Sequence, residues 1–273
     1  MHTDSTTPFY PLDFSQIELN LDQETGALTL ALKSHPRPSF NLTCLQELDR
    51  ATQLIKEHKA DISCVISKSN HSSVFSLGGD LDMFHKKIES QDSVTLRNYA
   101  HLCIDIIDAF NKSFYCKIPS IALVKGQALG GGFEFALAHN FIVADSSAKF
   151  GFPEVNFGLY PGMGAYPLFK RKSEGISNVE KLIFSGDSLS AKELHSAGVV
   201  DYLLEESPLD TIIDRLLKKR ITVELMLHSR ELLSPINKTN LIAITDAWVD
   251  AAFNLTPSNL KYMKRLVYFQ DKL

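Results

Sequence analysis

The chain has 273 residues and a formal charge of −4, with 28 Lys and Arg against 32 Asp and Glu. Hydrophobic residues make up 44% and charged residues 22% of the sequence, which is ordinary for a globular protein. These values exclude an acidic disordered chain, a collagen-like repeat and a basic nucleic-acid-binding protein. The length predicts one large domain, or one domain with an appendage.

The N-terminal segment, residues 1–14, is polar and proline-containing, so we expect a loose lead-in. It has no basic region followed by an apolar stretch, and no run in the chain approaches 18 apolar residues. We therefore expect neither a signal peptide nor a membrane span. Four cysteines show no CxxC pair and no metal-type spacing, which predicts reduced, buried thiols in a cytoplasmic protein: Cys44, Cys64, Cys103 and Cys116.

From residue 15 onward, short apolar strands alternate with helical patterns. Two stretches of alternating apolar residues flank Gly26 and predict a strand, a turn and a second strand. Such alternation of strands and helices indicates an α/β domain with a largely parallel sheet. Further strands are expected at 62–66, 121–124 and 141–144, and helices at 42–58, 96–110 and 132–138.

The composition changes near residue 201, after which almost all of the patterns are helical. These helices are expected at 209–217, 222–233, 241–253 and 259–269. We therefore expect a lead-in over 1–14, an α/β core over 15–200 and a helical C-terminal region over 201–273.

Several motifs of other enzyme classes are missing from the sequence. There is no GxSxG, no Gly-Lys dipeptide and no HExxH, and the glycines at 130–132 do not fit GxGxxG. The sequence therefore argues against a hydrolase nucleophile elbow, a P-loop, a zinc protease motif and a dinucleotide-binding loop.

Two glycine-rich loops remain, and each follows an apolar strand. Gly130, Gly131 and Gly132 lie between a strand and a helix, whose first N–H groups and positive dipole end face the loop. Gly78 and Gly79 follow another strand, and strand ends of a parallel sheet share one edge. One N–H from each loop could bind one oxygen as an oxyanion hole, although tight turns that serve packing alone explain the same glycines.

Two glutamates accompany these loops. Glu134 lies just inside the helix after the glycines, and Glu154 follows Pro153, which makes its loop comparatively rigid. Both are flanked by apolar residues, which could raise a carboxyl pKa toward the range of general acid–base catalysis. Two solvated surface glutamates are the alternative interpretation.

The order and spacing of four motifs resemble the crotonase (enoyl-CoA hydratase/isomerase) superfamily over roughly residues 15–270. The motifs are residues 75–81 (FSLGGDL), 125–134 (KGQALGGGFE), 150–154 (FGFPE) and 160–164 (YPGMG). The resemblance implies an α/β fold with a ββα spiral core and a C-terminal helical region that builds trimers, often paired into hexamers.

The same resemblance implies an acyl thioester substrate, with Gly79 and Gly131 as the oxyanion hole and Glu134 and Glu154 as the acid–base pair. It implies no metal and no cofactor beyond the acyl-CoA or acyl carrier protein thioester itself. Partners would be this thioester and further copies of the chain, with no nucleic acid and no membrane. The implied substrate-binding residues are Leu77, Gly78, Asp80, Leu81, Gly130, Gly162, Met163 and Trp248.

Within the superfamily the chain is most similar to the diffusible signal factor synthases, through residues 75–81, 128–137, 151–155, 157–166 and 247–250. This likeness implies dehydration of 3-hydroxyacyl-acyl carrier protein, followed by thioester hydrolysis, to give a cis-2-unsaturated fatty-acid signal. Asp82, where ordinary hydratases often carry Lys, would repel CoA phosphates and favour a protein carrier, unless it faces solvent. Candidates for the acyl pocket, with core packing as the alternative, are Met83, Phe84, Leu137, Met163, Tyr166 and Trp248.

Two other functions remain open. One is an enoyl-CoA hydratase of fatty-acid metabolism, and the other is a non-catalytic scaffold with the same fold. The presence of both glutamates and both glycine loops argues against the scaffold.

Overall fold

The computed structural model describes residues 13–173 and 178–272, so residues 1–12 of the expected lead-in lie outside the described part. The strands are β1 (Ile17–Leu21), β2 (Ala27–Leu32), β3 (Cys64–Ser69), β4 (Val74–Ser76), β5 (Ser120–Val124), β6 (Gln127–Leu129), β7 (Phe141–Ala144), β8 (Lys149–Gly151), β9 (Leu189–Ser190) and β10 (Tyr202–Leu203). The helices are α1 (Leu42–Glu57), α2 (Leu81–Glu89), α3 (Ser93–Asn111), α4 (Gly131–Ala138), α5 (Ala165–Lys172), α6 (Val179–Ser185), α7 (Ala191–Ser196), α8 (Leu209–Lys218), α9 (Arg220–Leu233), α10 (Lys238–Ala252) and α11 (Pro257–Gln270).

The strands form two sheets. The larger has the order β1-β2-β3-β5-β7-β10, and the smaller has the order β4-β6-β8-β9. In the larger sheet only β1 and β2 are antiparallel, joined through Gly26, while the remaining pairs are parallel. The largely parallel α/β architecture expected from the sequence is therefore confirmed.

The central strands β5 and β7 are buried along their whole length. Their alternate residues face two different hydrophobic clusters, which explains why both read as continuous apolar runs. Ile121 and Val143 join α8 and α9 in one cluster, whereas Ala122 and Ile142 belong to the main core on the other face. Helices thus cover both sides of the sheet.

Phenylalanines fill the main core around α4. The ring of Phe135 lies 4.9 Å from Phe110, 5.5 Å from Phe40 and 6.3 Å from Phe75, measured between centroids. All eight residues of α4 are buried, so this short helix is apolar on every side except at Glu134. Its position is therefore fixed by packing from all directions.

The sequence pattern missed helices α2 and α5 and several very short strands. Helix α2 begins where the side chain of Asp80 accepts a hydrogen bond from the N–H of Met83, an N-cap that the glycine motif obscured. β6, β8 and β9 have only two or three residues, too few to show a period of two. The expected strands at 62–66 and at 121–124 are present with bounds shifted by up to three residues.

The last two helices pack onto the earlier part of the chain. α10 lies along α3, where Arg97 forms ion pairs with Asp246 and Asp250 of α10. α11 lies against α2, and Met263 is the residue of α11 that is buried. Two ion pairs support this packing. Lys264 of α11 pairs with Glu89 at 3.5 Å, and Asp271, which follows α11, pairs with Arg37 at 2.5 Å.

All four cysteines are free thiols. Cys44, Cys64 and Cys103 are buried as expected, while Cys116 is partly exposed. No helix among the described residues is long and apolar enough to cross a membrane.

The core around Phe135 gives a test of this packing. Phe135→Ala removes the ring that three other phenylalanine rings and the His139 ring contact, so it should lower the free energy of unfolding by about 3–5 kcal/mol. Phe184→Ala is the matched control, because its side chain is 73% exposed and should change stability by no more than about 0.5 kcal/mol. Urea unfolding measures both, and equal effects would contradict the assigned core.

Candidate active site

An apolar cavity of about 420 Å³ lies where β4 and β6 end, and α10 and α11 form its far wall. Its lining brings together segments that are nearly 200 residues apart in the sequence. The lining residues are Leu77, Gly79, Leu81, Phe84, Tyr99, Ala100, Gln127, Leu129, Gly131, Glu134, Pro153, Glu154, Phe157, Gly162, Met163, Thr245, Trp248, Leu266, Phe269 and Gln270.

The two glycine loops meet at this cavity. Gly78 has φ +88°, and a Cβ placed on it would lie 2.8 Å from the backbone nitrogen of Gly131. Only glycine permits this approach. Gly131 is the first residue of α4, so its N–H has no partner within the helix. Gly79 and Gly131 both line the cavity, and among the described residues neither N–H donates a hydrogen bond to a backbone carbonyl.

The hydroxyl of Tyr99 holds the first loop in place. It donates a hydrogen bond to the carbonyl of Phe40 and accepts one from the N–H of Asp80 at 3.4 Å. The N–H of Phe40 in turn donates to the carbonyl of Gly78 at 2.7 Å. The orientation of Gly79 therefore depends on α3 as well as on β4.

Glu134 is 1% exposed, and backbone groups fix its carboxyl group. Its Oε1 accepts hydrogen bonds from the N–H of Met163 at 2.7 Å and of Ala165 at 2.9 Å. The hydroxyl of Thr245 on α10 donates to the carbonyl of Gly162 at 2.7 Å and holds the same loop from outside. One carboxyl oxygen is thus tied to the 162–165 loop.

Glu154 approaches the cavity from the 3₁₀ turn Pro153–Phe157. Its Oε1 lies against Gly130, where the Cβ of any other residue would be 2.2 Å away. Its Oε2 is buried and has no hydrogen-bond partner in the protein. A carboxyl oxygen that is buried without a partner is costly, which is typical of a group that acts on a ligand.

Burial raises the pKa of both carboxyl groups. It raises the pKa of Glu134 to about 8, and the nearby charge of Glu154 adds to this effect while the two N–H groups oppose it. Burial also raises the pKa of Glu154 to about 7. Because like charges at close range do not both ionise readily, the two titrate as a pair. Near neutral pH one carboxyl group can donate a proton while the other accepts one.

Most of the expected site residues line this cavity, and the rest support it. Behind it, Gly78 packs on Gly131, Gly130 packs on Glu154, and Asp80 caps α2. Those that line it are Leu77, Gly79, Leu81, Gly131, Glu134, Glu154, Gly162, Met163 and Trp248.

Of the acyl-pocket candidates, Phe84, Met163 and Trp248 line the cavity, whereas three others do not. Leu137 is buried in the core behind it. Met83 packs at the edge of the core, and Tyr166 is 41% exposed on the outer side of the 162–165 loop. Further lining residues were not predicted from the sequence, including Tyr99, Thr245, Leu266 and Phe269. These four lie on helices, and nothing in their local sequence shows that these helices pack around a cavity formed by segments far away in the chain.

The charge of Asp82 is offset in the structure. Its carboxylate pairs with Lys86 at 2.8 Å and lies 3.9 Å from Arg37. Because the ammonium group of Lys86 pairs with Asp82, the expected repulsion of CoA phosphates by this carboxylate finds no support in the structure.

A family model described as enoyl-CoA hydratase/isomerase matches residues 23–240. Because this match spans most of the chain, the protein belongs to the enoyl-CoA hydratase/isomerase family, as its motifs indicate.

Individual relatives are hydratases or contain a similar segment. The chain is 32% identical over 184 residues to 2,3-dehydroadipyl-CoA hydratase of Escherichia coli, covering 67% of this chain and 68% of that protein. It is 29% identical over 187 residues to human mitochondrial methylglutaconyl-CoA hydratase, covering 68% and 52%. It is also 29% identical over 215 residues to the fatty acid oxidation complex subunit alpha of Pseudomonas paraeruginosa, covering 79% of this chain but only 28% of that larger protein.

Solved structures confirm the crotonase fold. The structure of enoyl-CoA hydratase from Bacillus halodurans matches with a TM-score of 0.76 at 21% identity, covering 91% of this chain and 98% of that one. An enoyl-CoA hydratase/isomerase from Xanthobacter autotrophicus matches with a TM-score of 0.73 at 21% identity, covering 92% of each chain.

The raised pKa values predict how stability depends on pH. Between pH 4.5 and 8 the native protein binds more protons at these carboxyl groups than the unfolded chain does, so its free energy of unfolding falls as pH rises. Glu134→Gln keeps an oxygen that can accept both N–H groups but no longer titrates. From pH 5 to pH 8 the wild type should lose roughly 1 kcal/mol or more relative to this variant. Urea unfolding at several pH values measures the difference, and parallel curves would contradict the buried pair.

Proposed function

We propose that the protein is a hydratase that adds water to the double bond of a 2-enoyl-CoA thioester, and removes it in the reverse reaction. One observation carries the proposal: two buried carboxyl groups with raised pKa share an apolar cavity with two backbone N–H groups on touching glycine loops. Hydration needs an acid, a base and a site for negative charge, and this arrangement offers all three.

The N–H groups of Gly79 and Gly131 would bind the thioester carbonyl oxygen. Addition of water to Cβ places negative charge on this oxygen as an enolate forms, and both donors then bind more strongly than in the ground state. Their rigidity matters, because preorganised donors need no reorientation during the reaction. Tyr99 supports one loop through Asp80, and the all-round packing of α4 supports the other.

Glu134 and Glu154 would transfer the two protons. In hydration, the ionised carboxylate takes a proton from water as its oxygen bonds to Cβ, and the protonated carboxyl group donates to Cα. Dehydration reverses both transfers. The resemblance to the superfamily assigns the water to Glu134 and Cα to Glu154. The free oxygen of Glu154, buried without a partner, suits a group that faces the substrate.

CoA as the carrier is supported by the names of the relatives, which act on CoA thioesters. A homotrimer or hexamer stays a prediction, as does a cytoplasmic location. Apolar side chains exposed along α9 support association through the helical region: Ile221, Leu225, Met226, Leu232 and Leu233.

Replacing either glutamate tests the acid–base pair. Glu134→Gln and Glu154→Gln should each lower kcat for hydration of crotonyl-CoA by about 10²- to 10⁴-fold, the usual contribution of a positioned acid or base. The loss of absorbance at the conjugated thioester measures the rate. Circular dichroism checks that each variant is folded.

Glu18→Gln is the matched control, since Glu18 is exposed on β1 and far in sequence from every lining residue. It should retain the wild-type rate. Activity of either site variant within a few-fold of the wild type would contradict the assignment of Glu134 and Glu154 as the acid–base pair.

We propose a second candidate function, a synthase of diffusible fatty-acid signals that acts on 3-hydroxyacyl-acyl carrier protein and also hydrolyses the thioester. The apolar cavity favours it, because Met163, Trp248, Leu266 and Phe269 offer a long acyl chain an apolar wall. The same two N–H groups would stabilise a tetrahedral intermediate if water attacked the thioester carbon.

Mass spectrometry separates the two candidates. Wild type is incubated with 3-hydroxydodecanoyl-acyl carrier protein and, separately, with crotonyl-CoA. Release of a free 2-unsaturated acid that Glu154→Gln does not release would support the synthase. Hydration of crotonyl-CoA with no free acid from the carrier-protein substrate supports the hydratase and excludes the synthase.

A further inference from the structure

A second cavity, of about 220 Å³, lies at the end of α4 remote from Gly131. The segment 111–117 after α3 forms one wall, Asn140 at the start of β7 forms the base, and one face of α9 forms the other wall. None of its lining residues lines the candidate active site. We call it the basic cavity, because of the charges that surround it.

In the part of the chain that the structure describes, five cations and four carboxylates lie in or beside the basic cavity, and one of these carboxylates, Glu224 on the cavity wall, already pairs with Arg220 at 2.9 Å. Three cations have acidic partners: Lys112 lies 3.2 Å from Asp108, Arg171 lies 3.7 Å from Glu231, and Lys172 lies 3.5 Å from Asp201. Of these three only Lys112 lines the cavity. Two other lining cations have no carboxylate within 4.0 Å among the described residues: Lys117, and Arg230, whose Nη1 donates to the carbonyl of Asn140 at 3.4 Å.

Buried donors in the same cluster lack acceptors. The side chain of Arg171 is 3% exposed, and its Nε has no hydrogen-bond partner. Asn111 is 4% exposed, and its Nδ2 also has none, although its Oδ1 accepts from Arg171. Oδ1 of Asp108 also has no hydrogen-bond partner, but it lies 3.2 Å from Nζ of Lys112 and pairs with that charge. Buried donors are almost always satisfied in native proteins, so the two unpartnered donors indicate a missing acceptor. Burial lowers the pKa of Arg171 to about 10 and of Lys172 to about 8, as expected for cations that are not fully neutralised.

The wall of the basic cavity has an unusual backbone. Ser113, Phe114, Tyr115 and Lys117 all have φ between +49° and +66°. Such conformations cost free energy in residues other than glycine and are held only where the surroundings enforce them. The wall is therefore fixed before any ligand arrives, which lowers the entropic cost of binding.

We propose that the basic cavity binds a phosphate group. The guanidinium of Arg230 presents N–H groups in a planar fork that matches an oxyanion, and Lys117 adds a second, mobile charge. A phosphate would supply the negative charge that the cluster lacks, and its oxygens could accept from Arg230, from Lys117 and from the unpartnered Nδ2 of Asn111, which also lines the cavity. The ligand is either inorganic phosphate or the phosphate of a small phosphate monoester. The proposal does not depend on the hydratase activity.

Titration calorimetry on the full-length protein tests this, with sodium phosphate as the ligand and sodium chloride at equal ionic strength as the blank. Arg230→Gln should raise the Kd for phosphate roughly tenfold or more. Lys117→Ala should raise it as well, and because Lys117 is exposed this variant folds even if the first does not. Lys218→Ala is the control, since Lys218 is exposed on α8 and pairs with Asp214 at 2.7 Å; it should bind as the wild type does.

Titration with AMP in place of phosphate distinguishes a phosphate monoester from inorganic phosphate as the ligand. Tighter binding of AMP, lost in Lys117→Ala, identifies a monoester, whereas binding of phosphate alone identifies the free ion. The proposal is overturned if phosphate gives no more heat than chloride. It is also overturned if the Arg230 and Lys117 variants bind phosphate as the wild type does.

Discussion

The carboxyl group of Glu134 is the constraint around which the site is organised. An acidic group in an apolar interior is costly unless donors meet it, and here the N–H groups of Met163 and Ala165 do so. Those donors belong to a loop that Thr245 on α10 holds from the other side. The position of the acid therefore couples α4 to the helical C-terminal region, and burial keeps its pKa high enough for proton transfer near neutral pH.

Close approach of backbones is the second requirement. Gly78 and Gly131 touch because neither carries a side chain, and Gly130 makes room for the carboxyl group of Glu154. Three glycines thus bring two N–H donors and one acid to the same cavity. Each contact is made between segments joined to different strands, so the small sheet of β4, β6 and β8 serves mainly to align these loops.

The sequence predicted five of the six strands of the large sheet, most helices and the chemical groups of the site, but not β10, whose two residues lie where only helices were expected. β5 and β7 were recognisable because burial on both faces leaves an uninterrupted apolar run. The glutamates and glycines were recognisable because they lie in spaced motifs. Tyr99 and Thr245 were not, since their roles arise only when α3 and α10 pack against loops far away in the sequence. The sequence also did not predict that the charge of Asp82 is compensated, because its contacts with Lys86 and Arg37 are seen only in the structure.

The far wall of the cavity comes from α11, which contributes Leu266, Phe269 and Gln270. This has a consequence for biosynthesis. A ribosome that has made the chain only through α10 has already released both glutamates and both glycine loops, yet the cavity is still open to water on one side. Water there restores ordinary solvation to the carboxyl groups, and their acidity returns toward that of free glutamate. The site thus acquires its chemical competence only once α11 has packed onto it.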